Sequence, residues 1–382
     1  MKKMILVASI LLGSLMLVQA GNNWFSIGET INLKSKILNE ERSIIVYTPE
    51  TYHLSDKQYP VMYLLDGGSH FHHASGIVQY LAHVGNMPEM IVIAITNVDR
   101  SRDFSPTHTE KIPTSGGAEK FMKFLSEELI PFVDKNYRTS PYDILVGHSF
   151  GGTFATYALL KEPDIFNAYI AISPYLMYDD NMLVDAAGKK LQSKFNDQVQ
   201  FYMTVGDEPK YFESLEEFTE IVESKSPEGF ELNYVQMKDE NHGSVPHLSI
   251  YNGLEWIYTD WKLPKDAFKE GLASIDMHYS NLSKKYGYEI TTPENTINQL
   301  GYIYLGKKEM DKAIKVFKEN VVRYTKSANV YDSLGEGYEN NDQFAEAEKN
   351  YQKAVKLAKQ GHPNLNVYEK NLKRMQEKLA QM

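Results

Sequence analysis

From about residue 27 to residue 262, short apolar or β-branched runs alternate with longer stretches whose apolar positions recur at helical spacing. Val61 to Leu65, Met90 to Thr96, Ile144 to Val146, Ala168 to Ile172, Phe201 to Val205 and Leu232 to Gln236 are such runs, each bounded by Gly, Pro, Asp or Ser. Continuous apolar runs of this length read as strands buried on both faces. Glu29 to Leu38 and Arg42 to Thr48 instead alternate polar and apolar residues, as half-exposed antiparallel edge strands do. Between the runs, Ala118 to Tyr137 sets Phe121, Phe124, Leu125, Leu129, Phe132 and Val133 at helical spacing, with Pro131 near its end. Strands interleaved with helices predict an α/β fold built on an open, doubly wound, mostly parallel sheet.

After Trp261 the pattern changes. Leu263-Pro264 breaks the chain, and from Asp266 onward only helical spacing is found, with Lys and Glu between the apolar positions. Leu300-Gly301, Tyr304, Ala313 and Phe317 reappear as Leu334-Gly335, Tyr338, Ala347 and Tyr351, each shifted by 34 residues. A period of 34 with these residue types resembles the tetratricopeptide repeat, in which small residues let paired helices approach while aromatics fill the groove between them. Two repeats are fewer than such arrays need to stand alone. The expectation is therefore that helices over about 266–285 and 364–380 flank and cap them, with some docking onto the preceding domain. The organisation predicted is a catalytic-type domain over 21–263 and a small all-α repeat region over 264–382.

Composition narrows the classes of function. With 42% hydrophobic and 24% charged positions in 382 residues, the chain is neither disordered nor collagen-like. Its 50 acidic against 40 basic residues give a net charge of −10, which disfavours nucleic acid as a partner. The absence of cysteine excludes disulfides, thiolate metal sites and a cysteine nucleophile. At the N-terminus, Lys2 and Lys3 precede an apolar run from Met4 to Val18, and Val18-Gln19-Ala20 ends it with small residues. This is the layout of a secretory signal peptide over residues 1–20, cleaved after Ala20. The run is too short to span a bilayer and lacks a basic stop-transfer flank. The expected mature protein is secreted or periplasmic and has no membrane span.

The candidate chemistry centres on one motif. Ile144-Leu145-Val146 leads into Gly147-His148-Ser149-Phe150-Gly151-Gly152, then into an apolar helix start from Thr153 to Leu160. A bare Gly-x-Ser-x-Gly occurs by chance in roughly one chain of this length in ten. Strand before and helix after are what make it a nucleophile elbow, in which the glycines permit a sharp turn that projects the serine above the sheet. A serine hydroxyl needs a base, and in this arrangement acid and then base follow it in the chain. His242, in the polar loop Asp239 to Ser244, is the candidate base, and His247 is read as a packing or surface residue. The acid is expected just beyond Phe201 to Val205, where Asp207 and Glu208 compete; Glu208 is favoured for its reach and the following Pro209. The oxyanion needs two donors, and the N–H groups of Phe150 and of Gly68, in the turn Leu64-Leu65-Asp66-Gly67-Gly68, are the candidates.

Leu64-Leu65-Asp66-Gly67, Gly147 to Gly152, Ile172-Ser173-Pro174 and Asn241-His242-Gly243-Ser244 together resemble an esterase family of the α/β-hydrolases. It includes enterochelin and related siderophore esterases, S-formylglutathione hydrolase, feruloyl and acetylxylan esterases and mycolyltransferase antigens. The resemblance covers about residues 27–262. It implies a serine esterase with a Ser149, carboxylate, His242 triad and oxyanion donors at Gly68 and Phe150, needing no cofactor; with the N-terminal pattern, the expectation is an exported one. A siderophore-type ester leads as substrate, with aryl or acetyl esters behind it; acyl transfer to another alcohol is a variant of the same chemistry. Tyr175, Met177 and Tyr178 follow the strand beside the elbow and line a substrate pocket or pack the core. His70, His72 and His73 crowd the oxyanion loop, but ligands at that spacing are not expected to converge on a metal, so no metal site is predicted. Arg100, Arg102 and His108 belong to a polar loop that could read an anionic substrate or be salt-bridged and solvated. The competing reading is an inactive hydrolase-fold scaffold whose repeats recruit a protein or peptide partner.

Overall fold

The computed structural model describes residues 26–54, 56–191, 194–225, 227–358 and 362–382; the predicted signal peptide lies outside them. Eight strands, β1 (Glu29–Ser35), β2 (Glu40–Tyr47), β3 (Tyr59–Leu64), β4 (Ile91–Ile95), β5 (Thr139–His148), β6 (Ala168–Ile172), β7 (Lys194–Val205) and β8 (Glu228–Gln236), form one sheet. Their order is β1-β2-β4-β3-β5-β6-β7-β8. β1 pairs antiparallel with β2 and β2 antiparallel with β4, and every pairing from β4 to β8 is parallel.

The central strands bury side chains on both faces, and their period of two splits them cleanly. Tyr63, Ile91, Ile93, Leu145, Tyr169 and Ala171 enter one apolar cluster. Their chain neighbours Met62, Val92, Ile144, Val146, Ala168 and Ile170 enter the other. The chain order of the helices is α1 (Gly67–His83), α2 (Arg100–Phe104), α3 (Ala118–Phe124), α4 (Ile130–Asn136), α5 (Phe150–Lys161), α6 (Met182–Lys190), α7 (Pro209–Lys225) and α8 (Val245–Ile257). Helices α3 to α7 cover the first face, and α1 and α8 cover the second. The predicted helix over Ala118 to Tyr137 is interrupted: a π-helical turn, Leu125–Leu129, joins α3 to α4, directly ahead of Pro131, which has no N–H to continue the ladder.

Beyond Trp261 come α9 (Ala267–Glu270), α10 (Leu272–Tyr286), α11 (Glu294–Gly306), α12 (Met310–Arg323), α13 (Ala328–Asn340), α14 (Phe344–Leu357) and α15 (Leu365–Leu379). The 34-residue period has a steric cause. A Cβ on Gly301 would lie 2.3 Å from Phe317, and one on Gly335 would lie 2.7 Å from Tyr351. Each glycine thus lets the first helix of a pair seat on the aromatic of the second. α15 closes the array through Met375, which joins the repeat core with Phe317 and Tyr351. The core is continuous across Leu263-Pro264: Ile275, Leu282, Tyr286, Ile297 and Leu300 share a cluster with the α1 and α8 face of the sheet. Tyr142 meets Tyr286 edge to face at 5.1 Å, and the Tyr286 hydroxyl donates to Ile257 O at 3.0 Å. The early appendage helices are therefore fixed to the sheet by buried aromatics.

Candidate active site

Two helix N-termini meet at the carboxyl ends of β3 and β5. α5 begins directly after Ser149, whose backbone is held at φ 57°, ψ −118°. This is a conformation that L-residues avoid and that surrounding packing must impose. The surroundings are tight: a Cβ on Gly147 would lie 2.2 Å from Gly151 O, and one on Gly152 3.0 Å from Ile172 O. Ser149 N–H donates to Ile172 O at 2.8 Å, tying the elbow to β6. Across from it, α1 starts after Asp66, itself in the left-handed region at φ 53°. A Cβ on Gly67 would lie 2.7 Å from the Ala94 carbonyl carbon, whereas Gly68 faces open space. Gly68 and Phe150 both occupy first turns, where N–H groups have no partner within the helix and carry the positive end of its dipole.

The acid and base candidates come from the β7–α7 and β8–α8 loops. His242 Nδ1 lies 2.5 Å from Glu208 Oε1. Glu208 Oε2 accepts from the Ser173 hydroxyl at 2.5 Å and from Gly206 N–H at 3.2 Å. The Glu208 side chain is 7% exposed, while His242 is 41% exposed. Asp207 is exposed, and its N–H donates to Glu240 O at 2.6 Å. Of the two competing carboxylates, then, Glu208 is the one brought to the imidazole. The loops close because Gly206 has no side chain: a Cβ there would lie 2.6 Å from Glu240 O. The Asn241 side chain shapes the histidine loop by accepting from Gly243 N–H at 2.9 Å and Ser244 N–H at 3.2 Å.

Aromatic rings surround this group. Phe150 packs edge to face with Tyr175 at 5.6 Å and with Tyr178 at 5.7 Å. Tyr175 is half-buried, with its N–H on Thr153 Oγ1 at 2.9 Å. Tyr178 is 3% exposed and its hydroxyl donates to Thr107 O at 2.7 Å, so it supports Phe150 and its hydroxyl is occupied. Tyr211, in the first turn of α7, packs on Tyr175 and on His242, each at 5.8 Å between ring centroids.

Several imidazoles form a row beside the base. His148 lies 4.5 Å from His242, His70 lies 5.6 Å from His148, and His73 lies 5.4 Å from His247, as ring centroids. His70 Nδ1 and His73 Nε2 are 3.0 Å apart. One helical turn separates these two, so they do converge on one face of α1, while His72 faces solvent. Burial, with repulsion from neighbouring imidazoles, lowers His148 to about 3 and His73 to about 4; burial also lowers His70. These rings therefore stand neutral around the site. Among the described residues no group of three or more His, Asp or Glu side chains is arranged to hold a metal.

Arg102 is engaged by carboxylates. It makes paired contacts to Glu40 at 2.7 and 3.0 Å and to Asp103 at 2.8 Å, in a network with buried Arg42. His108 contacts Ser115 O at 3.3 Å. It is Arg100 that reaches the site: its Nε lies 2.6 Å from Asp66 Oδ1, and its Nη2 donates to both Asp66 Oδ2 and His148 O, each at 3.0 Å. Asn97 also donates to Asp66 Oδ1, at 2.6 Å. Arg100 thus ties the turn bearing Gly68 to the turn bearing Ser149. The sequence offered no spacing signal for this role, because both arginines sit on one short helix and only its orientation separates them.

Known proteins bear on this geometry. The model of the family described as "Putative esterase" matches residues 35–247, more than half of the chain, and tetratricopeptide repeat models match 295–319 and 328–360. The ferri-bacillibactin esterase BesA of Bacillus subtilis is 29% identical over 226 residues, 52% of this chain and 78% of that protein. The siderophore enterobactin esterase of Emericella nidulans is 29% identical over 160 residues, 35% of this chain and 52% of that protein. Among solved structures, an IroE-like serine hydrolase from Shewanella oneidensis superposes with a TM-score of 0.66 at 27% identity, over 77% of this chain and 98% of that one. Among the described residues no helix is long and apolar enough to cross a membrane.

Proposed function

The chain belongs to this esterase family, and from that premise we propose that it is an exported serine ester hydrolase working through an acyl-enzyme on Ser149. The observation that carries the reading is the 2.5 Å pair between buried Glu208 and His242, set beside a serine held at φ 57° at a helix N-terminus. His242 takes the Ser149 proton as Oγ attacks the ester carbonyl, while Glu208 holds the other ring nitrogen and stabilises the imidazolium. The tetrahedral oxyanion is met by the N–H groups of Gly68 and Phe150, reinforced by two helix dipoles. Protonated His242 then gives its proton to the leaving alcohol, and water assisted by the same imidazole releases the acid.

A siderophore-type ester is the leading substrate, on the likeness to the two siderophore esterases, and aryl or acetyl esters follow. Export rests on the N-terminal pattern of residues 1–20. Hydrolysis of a short-to-long series of p-nitrophenyl esters, one aryl ester and a trilactone siderophore by residues 21–382, beside Ser149→Ala, tests the proposal. The variant is expected to lose about 10³-fold or more. Equal activity in both proteins, or none in either, overturns it and turns attention to the repeats as a recruiting surface.

A further inference from the structure

We infer that Arg100 is a positioning residue of the oxyanion hole: it holds and neutralises the Asp66 carboxylate, whose charge would otherwise oppose the oxyanion. The inference rests on the serine-esterase reading above. Asp66 is 5% exposed and is the N-cap residue of α1. Its Oδ2 is 3.3 Å from where a Cβ on Gly151, in the first turn of α5, would stand, so the carboxylate lies between the two helix N-termini that carry the proposed donors. An aspartate at an N-cap ordinarily turns its carboxylate onto first-turn N–H groups. This one makes no such bond. Its Oδ1 accepts instead from Arg100 Nε and Asn97 Nδ2, each at 2.6 Å, and its Oδ2 from Arg100 Nη2 at 3.0 Å. Gly68 N–H is thereby kept clear of the carboxylate.

The direction of the effect follows from where charge develops. The ester carbonyl oxygen is nearly neutral when bound and carries a negative charge in the tetrahedral intermediate, so an unpaired anion nearby raises the barrier without weakening binding. In a buried site such repulsion is poorly screened. The imidazoles beside Asp66 give no relief, since burial disfavours the charged forms of His70 and His148. The cation paired with it is Arg100. Its Nη2 also donates to His148 O at 3.0 Å, and its guanidinium lies 5.8 Å from the centre of the Phe150 ring. Arg100 thus neutralises the carboxylate at the point where the two turns meet. In this role it forms no bond to substrate and exchanges no proton.

Arg100→Gln keeps a donor for Asp66 and removes the positive charge. With p-nitrophenyl acetate, kcat and kcat/KM are expected to fall together by about 100-fold, with KM within about threefold of the wild type. Arg100→Gln/Asp66→Asn, which removes both charges at nearly the same size, is expected to recover about tenfold or more over Arg100→Gln, and Arg100→Lys to stay within about tenfold of the wild type. A merely structural contact predicts no such recovery, because the double variant loses the rest of the ion pair. Wild-type kcat in Arg100→Gln, a rise in KM alone, or a double variant no faster than Arg100→Gln overturns the inference. Should Arg100→Gln not fold, the double variant decides: if it is folded and still about 100-fold slower than the wild type, the inference is wrong. Ser149→Ala run alongside separates this from failure of the underlying reading. Activity equal to wild type there means that the serine mechanism itself is wrong, and the inference falls with it.

Discussion

Folding should be acid-sensitive through His148, and the size of the effect can be worked out. Burial beside His242 and His70 lowers this imidazole from 6.5 to about 3. As pH falls, the unfolded chain takes up the proton first, so stability rises with pH across this window. The contribution is present above 6.5 and is lost progressively toward 3. At about pH 5 the folded imidazole is still neutral, so the loss is set by how far the unfolded one has titrated, and it comes to about 2 kcal/mol relative to about pH 7.5. Urea unfolding followed by tryptophan fluorescence, at those two pH values, measures it in the wild type and in His148→Phe. The phenylalanine fills the same space and cannot titrate. The variant is expected to lose about 2 kcal/mol less than the wild type on acidification. An equal loss in both proteins refutes the reasoning, because it means His148 is free to protonate in the folded state.

Glu208→Gln should lower kcat/KM for p-nitrophenyl esters by about 10²-fold or more, since the amide cannot stabilise an imidazolium, while exposed Asp207→Asn stays within about twofold. Gly335→Ala forces a Cβ to 2.7 Å from the Tyr351 ring. It should cost about 1–3 kcal/mol in a calorimetric scan without changing esterase kcat, because Tyr351 sits in a core separate from the sheet. For Arg102→Ala, whose wild-type guanidinium is taken up by Glu40 and Asp103, the expectation is a small loss of stability and an unchanged KM for neutral esters; a large KM effect would return Arg102 to substrate binding.

Much of the architecture could be read locally. Buried strands announced themselves as short apolar runs, the elbow as a strand, a glycine-spaced serine and a helix, and the repeats as a 34-residue period. Each of these is a rule about spacing along one stretch of chain. The interrupted helix at Leu125–Leu129 was less legible, since periodicity registers which face is apolar and not how one turn adjusts to a proline. The site divides the same way. Ser149, His242 and the neighbouring carboxylates could be nominated from order and context.

Choosing between adjacent residues was another matter. Glu208 and Asp207 differ by one position, yet Glu208 is buried on His242 while Asp207 lies in solvent. Arg100 and Arg102 share one short helix, yet one joins the two turns of the site and the other completes an ion-pair network with Glu40 and Asp103. His148 and Tyr211 carried no motif of their own role, since their meaning lies in rings contributed by β5, α7 and the β8–α8 loop. By itself the sequence determined which segments form strands and helices and where a nucleophile can be presented, because those follow from periodicity and from glycine at fixed offsets. Only the tertiary structure decided which side chains meet, because hydrogen bonds and ring contacts depend on directions in space, and neighbouring positions in a chain point in different ones.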